Sequence, residues 1–137
     1  MCKLIMIDDN QMEHLMMQRM FDSYQIFPGA SHSLDAKLII DYLTKHAAIE
    51  ALLPEVIFLD LHMPGFCGQD FLEELEALYP RLKRPITVYV ISSTIDPDEI
   101  AKAKSYSFVK DFIEKPVKKD RLKQVYFECE QMHQMAG

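Results

Sequence analysis

Four short apolar runs each end in groups that can do chemistry: LIMI before Asp8 and Asp9, VIFL before Asp60, VYVI before Ser92, Ser93 and Thr94, and DFI before Glu114, Lys115 and Pro116. Three carboxylates, a hydroxyl and an ammonium gathered in one place suit the handling of a phosphoryl group. Carboxylates packed together cannot all stay ionised without a counter-ion. A hard divalent cation is the natural remedy. Magnesium takes one or two carboxylates plus waters and a phosphate oxygen, and manganese can substitute for it. Lys115 and a hydroxyl would then hold the remaining phosphate oxygens.

These groups meet only if the runs are parallel strands whose carboxyl ends share one sheet edge, where open α/β folds bind their ligands. The pattern predicts strands over 3–8, 55–59, 86–91 and 109–113, and a poorer one over 24–30. Pro28 and Gly29 interrupt that last segment, which a sheet edge tolerates. Helices are expected over 11–22, 35–47, 69–79 and 118–132, with a further one opened by the acidic, proline-bearing turn Asp96-Pro97-Asp98-Glu99. In the first helix Met12, Leu15, Met16, Arg19 and Met20 recur at helical spacing, and its methionines are expected to fill the core. Ala36, Leu38, Ile39, Tyr42 and Leu43 form a similar stripe in the second. Strand and helix alternate five times, so the fold class is α/β, a doubly wound five-stranded parallel sheet with helices on both faces.

With 137 residues, 49% of them hydrophobic, the chain is expected to form one domain over 1–137 with no output domain behind it. A net charge of -6 and a pI near 5.3 argue against nucleic acid or an anionic membrane as partner. The one basic concentration, Lys115, Lys118, Lys119, Arg121 and Lys123, reads as a solvated helix start. No apolar stretch approaches the roughly 20 residues that a membrane helix needs, and no signal core follows Met1. Cys2, Cys67 and Cys129 are odd in number and far apart, which fits neither a disulfide framework nor a zinc site. A cytoplasmic location is the expectation. Cys67 lies among acids, which disfavour a thiolate.

The set of motifs resembles the receiver domain of two-component response regulators along nearly the whole chain. The resemblance rests on Asp8-Asp9 after the first strand, Asp60 after the third with Met63-Pro64 and Gly68 behind it, Ser92 after the fourth, and Lys115-Pro116 after the fifth. It implies strand order 2-1-3-4-5, with Asp60 as the phosphoacceptor for a phosphohistidine on a sensor histidine kinase or phosphotransfer protein. Asp8, Asp9, Asp60 and the backbone carbonyl of His62 would hold Mg2+, and Lys115 would pair with the acyl phosphate. Ser92, favoured by its register over Ser93 and Thr94, would be the switch hydroxyl and Phe112 the switch aromatic. Apolar alternation equally fits Phe112 as plain core. His62 and Thr94, each two residues past an active group, would tune dephosphorylation. A surface formed by the fourth helix, fifth strand and fifth helix would then bind a downstream protein target.

The sequence departs from that pattern in two places. Lys104-Ser105-Tyr106-Ser107-Phe108 replaces a Gly-Ala turn before the fifth strand, and residues 44–54 make a long connection into the third. Two other functions compete with the first. A receiver-shaped adaptor would dock its partner without phosphorylation, but the complete set of acid, hydroxyl and lysine tells against it. A magnesium-dependent phosphatase forming an aspartyl phosphate would usually carry a second acid two residues past the nucleophile, where this chain has His62.

Overall fold

The computed structural model describes residues 2–136, with side chains described through Met132. Its elements run β1 (Leu4–Ile7), α1 (Gln11–Tyr24), β2 (Ser31–Ser33), α2 (Ala36–Lys45), β3 (Val56–Leu59), α3 (Gly68–Leu78), β4 (Thr87–Ser92), α4 (Pro97–Lys104), β5 (Val109–Glu114) and α5 (Lys119–Ala136). The strands form one sheet in the order β2-β1-β3-β4-β5, and every pairing is parallel. β3 is buried at every position. A strand covered by helices on both faces has to read as a continuous apolar run, and VIFL does.

The two faces carry separate apolar cores. On one, Ala36, Ile40 and Leu43 of α2, Phe71, Leu72, Leu75 and Leu78 of α3, and Ala103 of α4 pack against Ile7, Ile57, Leu59, Val88 and Val90. On the other, Met17 and Phe21 of α1 and Leu122, Val125 and Cys129 of α5 cover Leu4, Met6, Phe58, Tyr89 and Ile91. Each large side chain fully buried in this way contributes about 1.5–3 kcal/mol from removal of apolar surface from water. The departure at 104–108 is absorbed into the first core, where the Tyr79 and Phe108 rings stack at 5.1 Å. The Tyr79 hydroxyl donates to the Ile86 carbonyl and accepts from the Ile86 N–H, which fixes the entry to β4. The long connection contains a short 3-10 turn at Glu50–Leu52.

Four expectations are corrected. The edge strand is Ser31–Ser33, not 24–30: α1 runs to Tyr24, and Gln25, Phe27 and Gly29 then take positive φ angles in a tight reversal that no strand could contain. The buried face of α1 is His14, Met17 and Phe21. Met12, Leu15 and Met16 are instead 61%, 56% and 55% exposed. α1 is apolar on more than one side, so helical spacing alone could not choose the buried stripe. In α2, Leu38 and Tyr42 are likewise exposed and Ile40 takes the core position. Finally, Cys2 and Cys129 are joined as a disulfide across a sequence separation of 127, with Cα atoms 6.1 Å apart. β1 and the last turns of α5 meet on the second face, and that proximity overturns the expectation of three unpaired cysteines.

Candidate functional site

The register places the site. Ile7 pairs with Leu59, Leu59 with Val90, Val90 with Phe112 and Ser92 with Glu114, so the residues just beyond these positions emerge along one edge. The Asp60 N–H donates to the Ile7 carbonyl and the Asp8 N–H to the Ser33 carbonyl, carrying the ladder one step further before the chain turns away. Asp8 and Asp60 are 2% and 7% exposed, whereas Asp9 is open to solvent. Carboxylate oxygens of all three lie within 4.8 Å of one another.

Each acid is held by its local chain. Asp8 Oδ1 accepts the Asn10 N–H, and Asn10 caps α1 by accepting from the Met12 N–H. Asp60 Oδ1 accepts the His62 N–H at 3.3 Å. Gly68, the first residue of α3, donates its N–H to the Leu61 carbonyl. A Cβ there would sit 2.5 Å from Leu61 Cα and 2.6 Å from the Asp60 carbonyl oxygen. Only glycine lets α3 begin so close behind Asp60.

Lys115 reaches into the cluster from beyond β5. Its Nζ lies 3.0 Å from Asp8 Oδ2, 4.0 Å from Asp60 Oδ1 and 3.9 Å from Glu13 Oε1. The peptide bond from Lys115 to Pro116 is cis. Burial works to lower the pKa of the ammonium, but the hydrogen bond to Asp8 and the charges of Asp60, Asp8 and Glu13 outweigh it and hold the pKa above the ordinary lysine range. The Asp60 carboxyl is pushed upward, chiefly by burial. Lys115 opposes this, while Asp8 and Asp9 add to it. Three carboxylates converging within reach of one another, with one cation already leaning on them, fit the donor set of a hard divalent ion.

Ser92 is buried at the end of β4 and its Oγ accepts the Thr94 N–H at 3.3 Å, whereas Ser93 is exposed. Of the adjacent hydroxyls, Ser92 is therefore the one turned into the protein. Phe112 is half-buried against the α2, α3 and α4 core, and with Lys115 and Arg121 it lines a cavity of about 390 Å3. His62 and Thr94 are brought together by a residue that sequence reasoning treated only as a helix start. Glu99 Oε2 accepts from the Thr94 hydroxyl at 2.6 Å and lies 3.1 Å from His62 Nε2. These two contacts, Thr94 first, hold the Glu99 carboxyl below its usual range. Glu13 was missed in the same way, read as part of a helix rather than as a partner of Lys115. On the loop beyond Asp60, Cys67 Sγ donates to Asp70 Oδ2 at 3.2 Å.

Comparison with known proteins bears on the family and the fold. A family model described as "Response regulator receiver domain" matches residues 4–127. The chain is 26% identical over 128 residues to a probable methanogenesis regulatory protein, FilR2, of Methanothrix harundinacea, covering 93% of this chain and 81% of that one. It is 27% identical over 119 residues to the sensory/regulatory protein RpfC of Xanthomonas campestris, of which the match spans only 15%. Among solved structures, a two component response regulator from Cytophaga hutchinsonii superposes with TM-score 0.81 at 20% identity, covering 94% of this chain and 96% of that one. A response regulator receiver protein from Dyadobacter fermentans gives 0.77 at 23% identity, with 94% and 98% covered. At such identities the two structures speak for the fold alone.

Proposed function

The chain belongs to the response regulator receiver domain family, and from that premise we propose that Asp60 accepts a phosphoryl group from a phosphohistidine on a histidine kinase or phosphotransfer protein. The observation that carries the reading is the buried Asp60 carboxylate, with Asp8, Asp9 and Lys115 converging on it at the carboxyl edge of the sheet. Asp8, Asp9, Asp60 and the His62 carbonyl would hold a Mg2+ ion, which would supply charge neutralisation for the incoming phosphoryl oxygens.

The residues divide the work. An Asp60 carboxylate oxygen attacks phosphorus, the P–O bond forms as the P–N bond to the donor imidazole breaks, and the leaving nitrogen keeps the electron pair. Lys115 rests on Asp8 at 3.0 Å and is 4.0 Å from Asp60, so it can follow the new negative charge without leaving the site. The chain contributes mainly positioning and electrostatics, as phosphoryl transfer requires. Ser92, buried at the end of β4, is the hydroxyl that responds to the phosphoryl group, and Phe112 is the aromatic that follows it on β5. His62 and Thr94, joined through Glu99, screen the site from water and set how long the acyl phosphate lasts.

Two exposed surfaces serve the partners. Met12, Leu15 and Met16 form an apolar patch on α1 beside the acids, where the donor docks. Phe127 of α5 and Ile95 before α4 are also exposed and give the downstream protein a place to bind. Among the described residues no helix is long and apolar enough to cross a membrane. A cytoplasmic workplace follows from the kinase donor, not from the cysteines.

The test is intact mass after incubation with acetyl phosphate and Mg2+. One added phosphoryl group, absent in Asp60→Asn and in chelator and slowed in Lys115→Ala, is the expected result. Label that survives on another residue of Asp60→Asn would refute the assignment. Absence of label in the native chain would favour the phosphorylation-independent adaptor.

A further inference from the structure

Two imidazoles meet where α1 passes over the edge strand β2. His14 Nδ1 lies 2.7 Å from His32 Nδ1, and the rings are edge to face with centroids 4.9 Å apart. The outer nitrogens determine which inner ones can carry protons. His14 Nε2 lies 2.7 Å from the Asp8 backbone carbonyl, which can only accept, so this nitrogen is an N–H. His32 Nε2 lies 2.7 Å from Gln18 Oε1. The Gln18 amide cannot be turned round, because its Nε2 donates to Asp22 Oδ1 at 2.8 Å. His32 Nε2 is therefore an N–H as well. A neutral imidazole has one N–H, so both Nδ1 atoms are left with lone pairs aimed at each other. Lone pairs at that separation repel unless a cation lies between them.

A histidine that ligates a metal typically donates its other ring N–H to a carbonyl or carboxylate, which fixes tautomer and orientation. Both rings here do so. Partial desolvation, and after it the neighbouring His14, holds His32 below the ordinary imidazole range. A cavity of about 310 Å3, lined by Gln11, Leu15, Ser33 and Leu34 as well as the two rings, has room for water ligands. We propose that His14 Nδ1 and His32 Nδ1 form a second cation site, separate from the carboxylate cluster, that takes a divalent first-row transition metal such as Zn2+.

The donor chemistry sets the selectivity. Imidazole nitrogen suits zinc, copper and nickel, whereas magnesium keeps to oxygen. Zn–N bonds of about 2.0–2.1 Å in tetrahedral geometry place the two nitrogens about 3.3 Å apart, so the rings must part by roughly 0.6 Å. His32 can yield, since it is exposed on a three-residue strand paired on one side only. His14, buried in α1, stays put. The ion would fasten α1 to the sheet edge and, through His14 Nε2, to the backbone of Asp8.

Zn2+ binding is to be measured on the full chain without a histidine tag, in non-reducing buffer with saturating Mg2+. The carboxylates are then filled and Cys2 and Cys129 stay bonded. Competition against a chromophoric chelator gives stoichiometry and affinity, and 1H–15N spectra of the imidazoles give location. One Zn2+ per chain is expected, with the His14 and His32 Nδ1 signals shifted. His32→Ala, on the exposed strand, should weaken binding by at least tenfold. Gln18→Ala, which removes only the acceptor behind His32, should weaken it about tenfold. Equal affinity in native and His32→Ala protein would overturn the proposal. So would a proton shared between the rings at pH 7 that Zn2+ leaves undisturbed, or shifts confined to His62.

Discussion

Replacing Gly68 by alanine tests whether the space behind Asp60 is as tight as the structure shows. The added Cβ would lie 2.5 Å from Leu61 Cα and 2.6 Å from the Asp60 carbonyl oxygen, both backbone atoms, and 3.1 Å from Leu61 Cδ2. Ordinary carbon contacts are about 3.5–4.0 Å, so the start of α3 and the Asp60-Leu61 backbone must separate by about 1 Å. The Gly68 N–H to Leu61 carbonyl bond at 3.1 Å is strained or lost in the process. Overpacking of this kind costs about 1–3 kcal/mol, more than the few tenths that alanine gains over glycine in a first helical turn. With roughly 0.29 kcal/mol per kelvin of unfolding entropy for a chain of this size, Tm falls by about 3–10 °C. Because the displaced backbone carries the acceptor, acetyl phosphate labelling should slow by about 10–100-fold, the cost of misplacing a reacting group by about 1 Å. Urea unfolding and labelling kinetics read the two effects separately. Gly65 is the control: its φ is +75 and nothing lies within 4 Å of a Cβ. Gly65→Ala therefore pays about 1–2 kcal/mol for left-handed backbone and labels normally. A Gly68→Ala chain that keeps native stability within about 0.5 kcal/mol and labels at the native rate would refute the steric argument.

The raised pKa of Asp60 means that the folded chain binds a proton there more tightly than the unfolded chain does. Stability from this group is full below the unfolded value of 3.8 and is lost as pH rises through the higher folded value. In chelator at pH 7, Asp60→Asn should thus melt above the native chain, with the gain fading below pH 3.8; a variant that melts lower at pH 7 contradicts the assignment of strain to this carboxylate. Reducing Cys2–Cys129 opens a loop of sequence separation 127, and chain entropy then costs at most about 5 kcal/mol, or roughly 17 °C in Tm. Calorimetry with and without a phosphine reductant checks this, and coincident melts would mean the two sulfurs add nothing to the fold. Leu15→Glu, on the exposed side of α1, should slow transfer from a phosphorylated histidine donor at least tenfold while labelling by acetyl phosphate stays native. Equal loss with both donors would show damage to the site instead of to a docking face.

The sequence alone determined the elements that place chemistry and the order in which they come. Runs such as VIFL and VYVI are buried on both faces, so each reads as continuous apolar sequence, and the acids and Ser92 that follow them are legible as edge residues. The acidic, proline-bearing turn before α4 was equally plain, since Asp96 caps the helix through the Asp98 N–H. Tertiary structure decided what local pattern could not. β2 is three residues, Ser-His-Ser, with no apolar side chain; its place comes from backbone pairing to β1, which leaves no mark on composition. α1 offers methionine and leucine on several sides, and only the sheet beneath it chose Met17 and Phe21. The Cys2–Cys129 bond, the bridge from Glu99 to His62 and Thr94, and the facing rings of His14 and His32 join residues from separate elements. Each depends on how helices seat on a twisted sheet, a global packing outcome that neighbouring residues do not encode.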